Sequence, residues 1–392
     1  MARIVFFSIP AHGHTNPTIE VIHQLTRRGH TVRYYSFDMF RERIENAGAE
    51  FVSCDAYMPP MPKDFDRRAK YDFSSLIEMA TRVTIAMESA VLQELGESPP
   101  DCIVTDSLCI WGKLFAKRLG IPMVCSTTSF AFNEHTAKMM KPGWREMLYS
   151  LAGIPKINRD MKLLREHGYK ADNLVQLIQN DNETDTIVYT SRVFQPQNET
   201  FGERFAFVGP SLPAVPAVQE KKERPLVYIS LGTVHRDTQF YQNCIEALRN
   251  SPYDVVMSAG DVKNIAQLKE IPRQFTIKPS VDQLRVLQKA DVFVTHAGMN
   301  SVNESIYFGV PMVLIPQHSE QNTVALRAQA VGAGKILKST KPEHVRAAIE
   351  EILGNRETYR NSIRVISGSF RSAGGPEKAA DKIEQVMGGS GR

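Results

Sequence analysis

Two residues far apart in the chain have the types that a proton transfer needs. His14 stands in Pro10-Ala11-His12-Gly13-His14-Thr15-Asn16-Pro17, directly after an apolar run at residues 4–9. That run reads as a strand, Asn16 suits a helix N-cap and Pro17 a first helical position, which puts His14 just before a helix N-terminus. The positive potential of that end disfavours an imidazolium, so the ring stays neutral and able to accept a proton. Asp106 follows a second apolar run at residues 102–105. If the two strands are neighbours, its carboxylate orients His14 and stabilises the imidazolium as it forms. A loop histidine and a helix-capping aspartate remain the alternative at this point. No Gly-x-Ser-x-Gly nucleophile loop occurs. His12 and His14 alone are too few ligands for a metal, so His12 is read as structural and no metal site is expected.

A second group is suited to anion binding. The run 292–295 ends in His296-Ala297-Gly298-Met299-Asn300-Ser301, where a small turn exposes backbone N–H groups at a helix start. Gly298 permits close approach of a phosphate. His296, Asn300 and Ser301 add side-chain donors. Glu304 lies four residues beyond Asn300 on the same helical face, placed to accept from ribose hydroxyls. An ordinary capped helix is the alternative. Thr233, after the run 226–231, is a second phosphate candidate, and Glu320-Gln321, after the run 312–315, suits vicinal sugar hydroxyls. Neither Gly-x-x-x-x-Gly-Lys-Ser/Thr nor Gly-x-Gly-x-x-Gly occurs, so ATPase and dinucleotide readings lack their loops.

The elements that must position these groups alternate. Apolar runs at 4–9, 31–35, 51–54, 102–105 and 123–125 are interleaved with helical patterns at 17–28, 40–47, 75–95 and 111–119. A second series has strands at 226–231, 254–258, 275–278, 292–295 and 312–315, with helical patterns at 300–308, 320–331 and 343–353. Such alternation means parallel sheets with helices on both faces, and ligands outside the strand C-termini. Residues 208–225 carry four prolines and the cluster Lys221-Lys222-Glu223-Arg224 without periodicity, which reads as a solvated linker that permits hinge closure. The expected domains are therefore 1–207, the linker 208–225, 226–375, and a terminal helix within 376–392.

Composition narrows the class. A chain of 392 residues corresponds to two or three domains at about 150 residues each. Hydrophobic residues are 42% and charged residues 23%, which argues against disorder. Lys+Arg 47 against Asp+Glu 43 gives a net charge of +4, no nucleic-acid signature. No apolar run reaches the roughly 18 residues of a membrane span. Five scattered cysteines without paired spacing fit a reducing cytoplasm, and the N-terminal run reads as a strand rather than a signal peptide. Nothing in the composition distinguishes a monomer from a dimer.

The ordered set of motifs resembles the family 1 (UDP-dependent) glycosyltransferases, most closely the bacterial macrolide-type members, over nearly the whole chain. The pieces are Gly13-His14-Thr15-Asn16-Pro17, then Thr295-His296-Ala297-Gly298-Met299-Asn300-Ser301 with Glu304, Phe308-Gly309-Val310-Pro311, Pro316 and Glu320-Gln321, and finally Ala373-Gly374-Gly375 with Ala379-Ala380-Asp381, Ile383 and Glu384. The resemblance implies a GT-B fold: two Rossmann-like α/β domains facing a cleft, the acceptor on the N-terminal one, the nucleotide sugar on the C-terminal one, and the last helix packed back on the N-terminal domain. It implies His14 as general base with Asp106 as its partner. His296, Asn300, Ser301 and Thr233 would hold the diphosphate, Glu304 the ribose, Glu320 and Gln321 the sugar, with Thr128 a further sugar contact. The stretch Ser280-Val281-Asp282-Gln283 falls where family members often carry a Trp against uracil. Ser280 cannot stack, Val281 offers its backbone to the base edge, and Gln283 completes this part of the donor site; a dTDP donor becomes tolerable alongside UDP.

The implied reaction is inverting displacement at the anomeric carbon of a hexose, expected to be glucose, with the helix N-terminus and His296 taking the charge of the leaving diphosphate and no metal or other cofactor. Met58, Met61 and Phe73 flank a Pro59-Pro60 loop and suit a permissive pocket for a hydrophobic acceptor such as a flavonoid, another phenol or a macrolide, whereas Met79 and Met87 fit core packing. A nucleotide-sugar epimerase on the same fold would need acid and base groups around the sugar and no open acceptor pocket. A membrane-surface glycolipid synthase would need a basic amphipathic patch, for which only Arg67-Arg68-Ala69-Lys70 offers itself, beside Asp64 and Asp66. No stable membrane association is expected. A non-catalytic nucleotide-sugar binder would not need both His14 and Asp106.

Overall fold

Short β-rich apolar runs and amphipathic helices build two parallel sheets in the computed structural model. It describes residues 1–60, 73–137, 144–171, 177, 183–216, 223–232 and 237–389. The first sheet has strands β1 (Arg3–Phe7), β2 (Thr31–Ser36), β3 (Glu50–Ser53), β4 (Cys102–Asp106), β5 (Met123–Thr127), β6 (Thr186–Val188) and β7 (Phe205–Phe207). Their order is β3-β2-β1-β4-β5-β6-β7. The second has β8 (Leu226–Ser230), β9 (Asp254–Ser258), β10 (Phe275–Lys278), β11 (Val292–Thr295), β12 (Met312–Leu314) and β13 (Gly334–Ile336), ordered β10-β9-β8-β11-β12-β13.

Each order reverses once, between β1 and β4 and between β8 and β11. That reversal opens a crevice at the strand C-termini, because the connections on either side leave in opposite directions. His14 and Asp106 follow and end the first such pair. The turn that His296 opens and the turn at Gly232 end the second.

The chain divides into one unit of Met1–Leu212 with Ala373–Arg392 and another of Pro213–Ser372. In the first, β1, β2 and β4 bury Ile4, Val5, Phe6, Val32, Tyr34, Ile103 and Val104 with Val21, Ile22 and Leu25 of the helix His12–Arg27. The terminal helix Gly375–Gly389 completes this core with Ala379, Ala380 and Ile383. It is tied down by charge. Arg28 Nη1 lies 2.8 Å from Asp381 and 2.7 Å from Glu384, His30 Nε2 is 2.8 Å from Glu384, and the buried Lys382 reaches Asp185 at 2.6 Å. The second unit has its own core around Val227, Ile229, Val292, Val294, Val345 and Ile349.

Several expectations need correction. The first helix begins at His12 with Ala11 as N-cap and no side-chain cap, so Pro17 lies inside the helix and Asn16 does not cap it. Asn16 Oδ1 instead accepts from Arg43. Strands β6, β7 and β13, three residues each, and the helices Trp144–Glu166 and Arg356–Arg371 were not legible as separate elements. Met87 is fully buried and Met79 packs against the same core, as their helical spacing suggested. Residues 208–216 carry neither helix nor strand. The five cysteines are buried and form no disulfide. Among the described residues no helix is long and apolar enough to cross a membrane.

Candidate active site

The register of the first sheet brings the histidine and the aspartate together. β1 pairs with β4, Phe7 opposite Thr105, so the residue ending β4 sits beside the turn that leaves β1. His14 is the third residue of the first helix, and its Nδ1 lies 2.7 Å from Asp106 Oδ2. The other carboxylate oxygen, Oδ1, accepts the Leu108 N–H at 2.8 Å. A buried carboxylate is costly unless both oxygens are engaged, and here both are. Asp106 is 2% exposed, while the His14 side chain keeps 21% exposure. With Nδ1–H directed at Asp106, Nε2 is the ring nitrogen that can receive a proton.

Thr128, just beyond β5, sets its Oγ1 3.2 Å from the same Nδ1. It is buried, and the pairing of Asp106 with Ser126 places it two residues past the aspartate's neighbour. The contact seen for Thr128 is therefore to the histidine. His12 turns away: its ring packs edge-on against Phe40, and burial, aided by Arg43, lowers its pKa.

In the second unit, β11 ends in a turn where Ala297 adopts φ 65°, left-handed backbone that a non-glycine residue adopts only under constraint. Gly298 itself has φ −63°, so its value lies in its missing side chain. A Cβ at Gly298 would come 2.5 Å from His296 Nε2, and one at Gly232 2.6 Å from His296 Cε1. The two glycines thus make the slot in which the imidazole stands. The helix Met299–Phe308 starts beside it with Gly298 as N-cap and no side-chain cap; its first ladder bond is Val302 N–H to Gly298. The N–H groups of Met299, Asn300 and Ser301 precede that bond and point along the positive end of the helix.

Glu304 and Ser301 are joined by Gln283. Gln283 Nε2 donates to Glu304 Oε2 at 2.6 Å and to Ser301 Oγ at 3.3 Å. Burial pushes the Glu304 carboxyl up to about 7, against the opposing pull of the Gln283 bond. Gln283 opens the short helix Gln283–Leu287, whose N-cap Asp282 accepts from Arg285 N–H. Ser280 and Val281 lie in the connection after β10, Ser280 exposed and Val281 part-buried.

Gln321 is buried and its Oε1 accepts the Gln317 N–H at 2.9 Å, so its carbonyl end closes its own loop. Glu320 is part-exposed next to it. Met58 is part-buried against the core of the first unit. Thr233 and Met61 lie outside the described residues, as do Arg67-Arg68-Ala69-Lys70 with Asp64 and Asp66. Phe73 opens the helix Phe73–Glu97, and its side chain lies outside what is described. Among the described residues no three His, Cys, Asp or Glu side chains converge as a metal-binding group. Sequence reasoning passed over Tyr228, which donates to Gln283 Oε1 at 3.0 Å. An aromatic residue in a strand reads as core, and nothing local marks its hydroxyl as aimed at a site.

Known proteins resemble this chain over nearly its whole length. A family model described as UDP-glucoronosyl and UDP-glucosyl transferase matches residues 213–379. The NDP-glycosyltransferase YjiC of Bacillus subtilis (strain 168) is 34% identical over 98% of this chain and 97% of its own. The demethyllactenocin mycarosyltransferase of Streptomyces fradiae is 30% identical over 99% of this chain and 87% of its own. The crystal structure of the calicheamicin glycosyltransferase CalG4 superposes with a TM-score of 0.82 at 29% identity, covering 99% of this chain and 98% of that one.

Proposed function

The chain belongs to the UDP-glucoronosyl and UDP-glucosyl transferase family of glycosyltransferases, with its two-domain GT-B fold, and from that premise we propose that it moves a hexose, glucose, from UDP to a hydroxyl of a hydrophobic small molecule with inversion. The acceptor class is a macrolide, flavonoid or other phenol. The relatives named for natural-product acceptors support the macrolide member of that set, and the sequence pattern of Met58, Met61 and Phe73 suits an adaptable apolar surface for it.

The observation that carries the reading is the 2.7 Å contact of His14 Nδ1 with Asp106 Oδ2 at a strand C-terminus. His14 Nε2 removes the acceptor hydroxyl proton as that oxygen attacks the anomeric carbon, and Asp106 steadies the imidazolium. The bond from the anomeric carbon to the diphosphate oxygen breaks, and the nucleoside diphosphate leaves with the electron pair. Its charge is met by His296 and by the N–H groups of Met299, Asn300 and Ser301, with Thr233 assisting, so the helix end does the electrostatic work and no metal is required. Glu304 and Gln283 hold the ribose, Val281 the base edge beside Ser280, and Glu320 and Gln321 the sugar. The enzyme works in the cytoplasm, where its unpaired thiols stay reduced.

The test is product formation by mass spectrometry from UDP-glucose and a panel of phenols and macrolides. Addition of one hexose to an acceptor supports the reading. Free altered hexose without any acceptor would replace it with an epimerase.

A further inference from the structure

Tyr228 is buried in the middle of β8, its ring stacked on Phe293 of the neighbouring strand at 4.6 Å and 11°. Its hydroxyl is not needed for that packing. It is directed out of the core toward the C-terminal edge, where it donates to Gln283 Oε1 at 3.0 Å. Ser230 lies two residues on and therefore on the same side of the strand. Ser230 Oγ in turn accepts the Gly232 N–H at 3.3 Å, in the turn that walls the His296 slot.

Hydrogen bonds thus run from Tyr228 through Gln283 to Glu304 and Ser301, while Ser230, on the same face of β8, holds the Gly232 turn. Their consequence lies in the symmetry of an amide. A Gln side chain can flip, exchanging its donor and acceptor ends at no cost in shape. With Tyr228 donating to Oε1, the NH₂ end must face Glu304 and Ser301. A flipped amide would set Oε1 against the Glu304 carboxylate, acceptor against acceptor.

We propose that Tyr228 is a positioning residue for the donor nucleoside: its hydroxyl locks the Gln283 amide so that Gln283 and Glu304 offer one fixed set of donors and acceptors to the ribose. This rests on the donor-site reading given above. Tyr228 touches no substrate; it acts through Gln283.

The experiment is calorimetric titration of the full-length protein with UDP and with 2′-deoxy-UDP, for wild type, Tyr228→Phe, Gln283→Leu and the double variant. Removing one hydroxyl from a stacked ring preserves volume, and the thermal midpoint of each variant reports its fold. We expect Tyr228→Phe to weaken UDP by about threefold to tenfold, the range one net hydrogen bond supports. Binding of 2′-deoxy-UDP should change much less, so that discrimination between the two nucleotides narrows. In the Gln283→Leu background the Tyr228 substitution should add nothing. In turnover, KM for the donor rises while kcat holds. UDP affinity unchanged in Tyr228→Phe, or an equal loss for both nucleotides that persists in the double variant, would overturn the inference. Failure of wild type to bind UDP at all would instead remove the donor-site reading beneath it.

Discussion

Gln283 Nε2 stands 2.6 Å from Glu304 Oε2, joining the first residue of one helix to the second turn of another across the end of β8. That contact puts a part-buried carboxylate on the C-terminal edge of the sheet, beside Ser301 at the start of its helix. A second carboxylate, Asp106, holds the corresponding edge of the other sheet. The two do different work. Asp106 is engaged on both oxygens within the protein, whereas Glu304 keeps capacity for a ligand.

The state of Glu304 makes donor binding depend on pH. Its carboxyl is raised from 4.5 to about 7 by burial, so near neutrality it is still changing charge. With the ribose placed as proposed, the ionised carboxylate above 7 accepts from its hydroxyls; below, one oxygen carries a proton. UDP affinity should therefore fall as pH drops through 7, and Glu304→Gln, which shares the titration of the phosphate, should lack that component. The sign for folding is opposite. A carboxyl raised in the folded state favours the fold while protonated, so the nucleotide-free protein loses stability as pH rises from about 4.5 to about 7. Denaturant titrations of wild type and Glu304→Gln across that window check it. Identical pH profiles would contradict the assignment.

Asp106→Asn keeps the size of the side chain and an oxygen for the Leu108 N–H, but removes the charge opposite His14. In this variant kcat should fall by about 100-fold or more, the scale of general-base catalysis, with UDP affinity unchanged by titration. A loss confined to donor affinity would place Asp106 elsewhere in the reaction.

Gly298→Ala isolates the space around His296, since φ −63° suits alanine and only the 2.5 Å approach to Nε2 forbids the methyl. Displacing the ring should weaken UDP by about tenfold, the worth of one charge-assisted hydrogen bond, at nearly constant thermal stability. Unchanged UDP affinity would show that the ring does not meet the diphosphate.

With the base placed beside Ser280 as proposed, no aromatic side chain stands at that position to stack on it. Ser280→Trp should tighten UDP by about 1–3 kcal/mol through stacking, measured by titration with UDP and dTDP in parallel. No gain for either nucleotide would remove this connection from the base site.

Much of this was legible in the sequence because the relevant signals are local. The strands and helices expected between residues 226 and 353 begin and end within a residue or two of where the apolar periodicity breaks. Asp106 ends a strand, and His14, His296 and Glu304 lie on the turn or helix that follows one, so a parallel-sheet reading already places them at the C-terminal edge. The rest depends on contacts that periodicity does not carry. Pro17 looked like a helix start, but the turn before it closes through Ala11 O, which accepts from His14 and Thr15 N–H, and the helix extends back to His12. Gly298 reads in the sequence as room for a phosphate, yet the side chain its missing Cβ accommodates is the His296 ring, and the left-handed φ of the turn belongs to Ala297. β6, β7 and β13 are three residues each, too short to show a period. Tyr228 and Thr128 are buried residues whose hydroxyls matter only through partners more than fifty positions away.

The central claim is that His14 is the base, and its substitution tests that most directly. His14→Ala should bind UDP as wild type does by calorimetry, while transfer of hexose from UDP-glucose to any acceptor accepted by wild type, followed by mass spectrometry, falls by about 100-fold or more. Transfer at the wild-type rate by the folded variant would contradict the account.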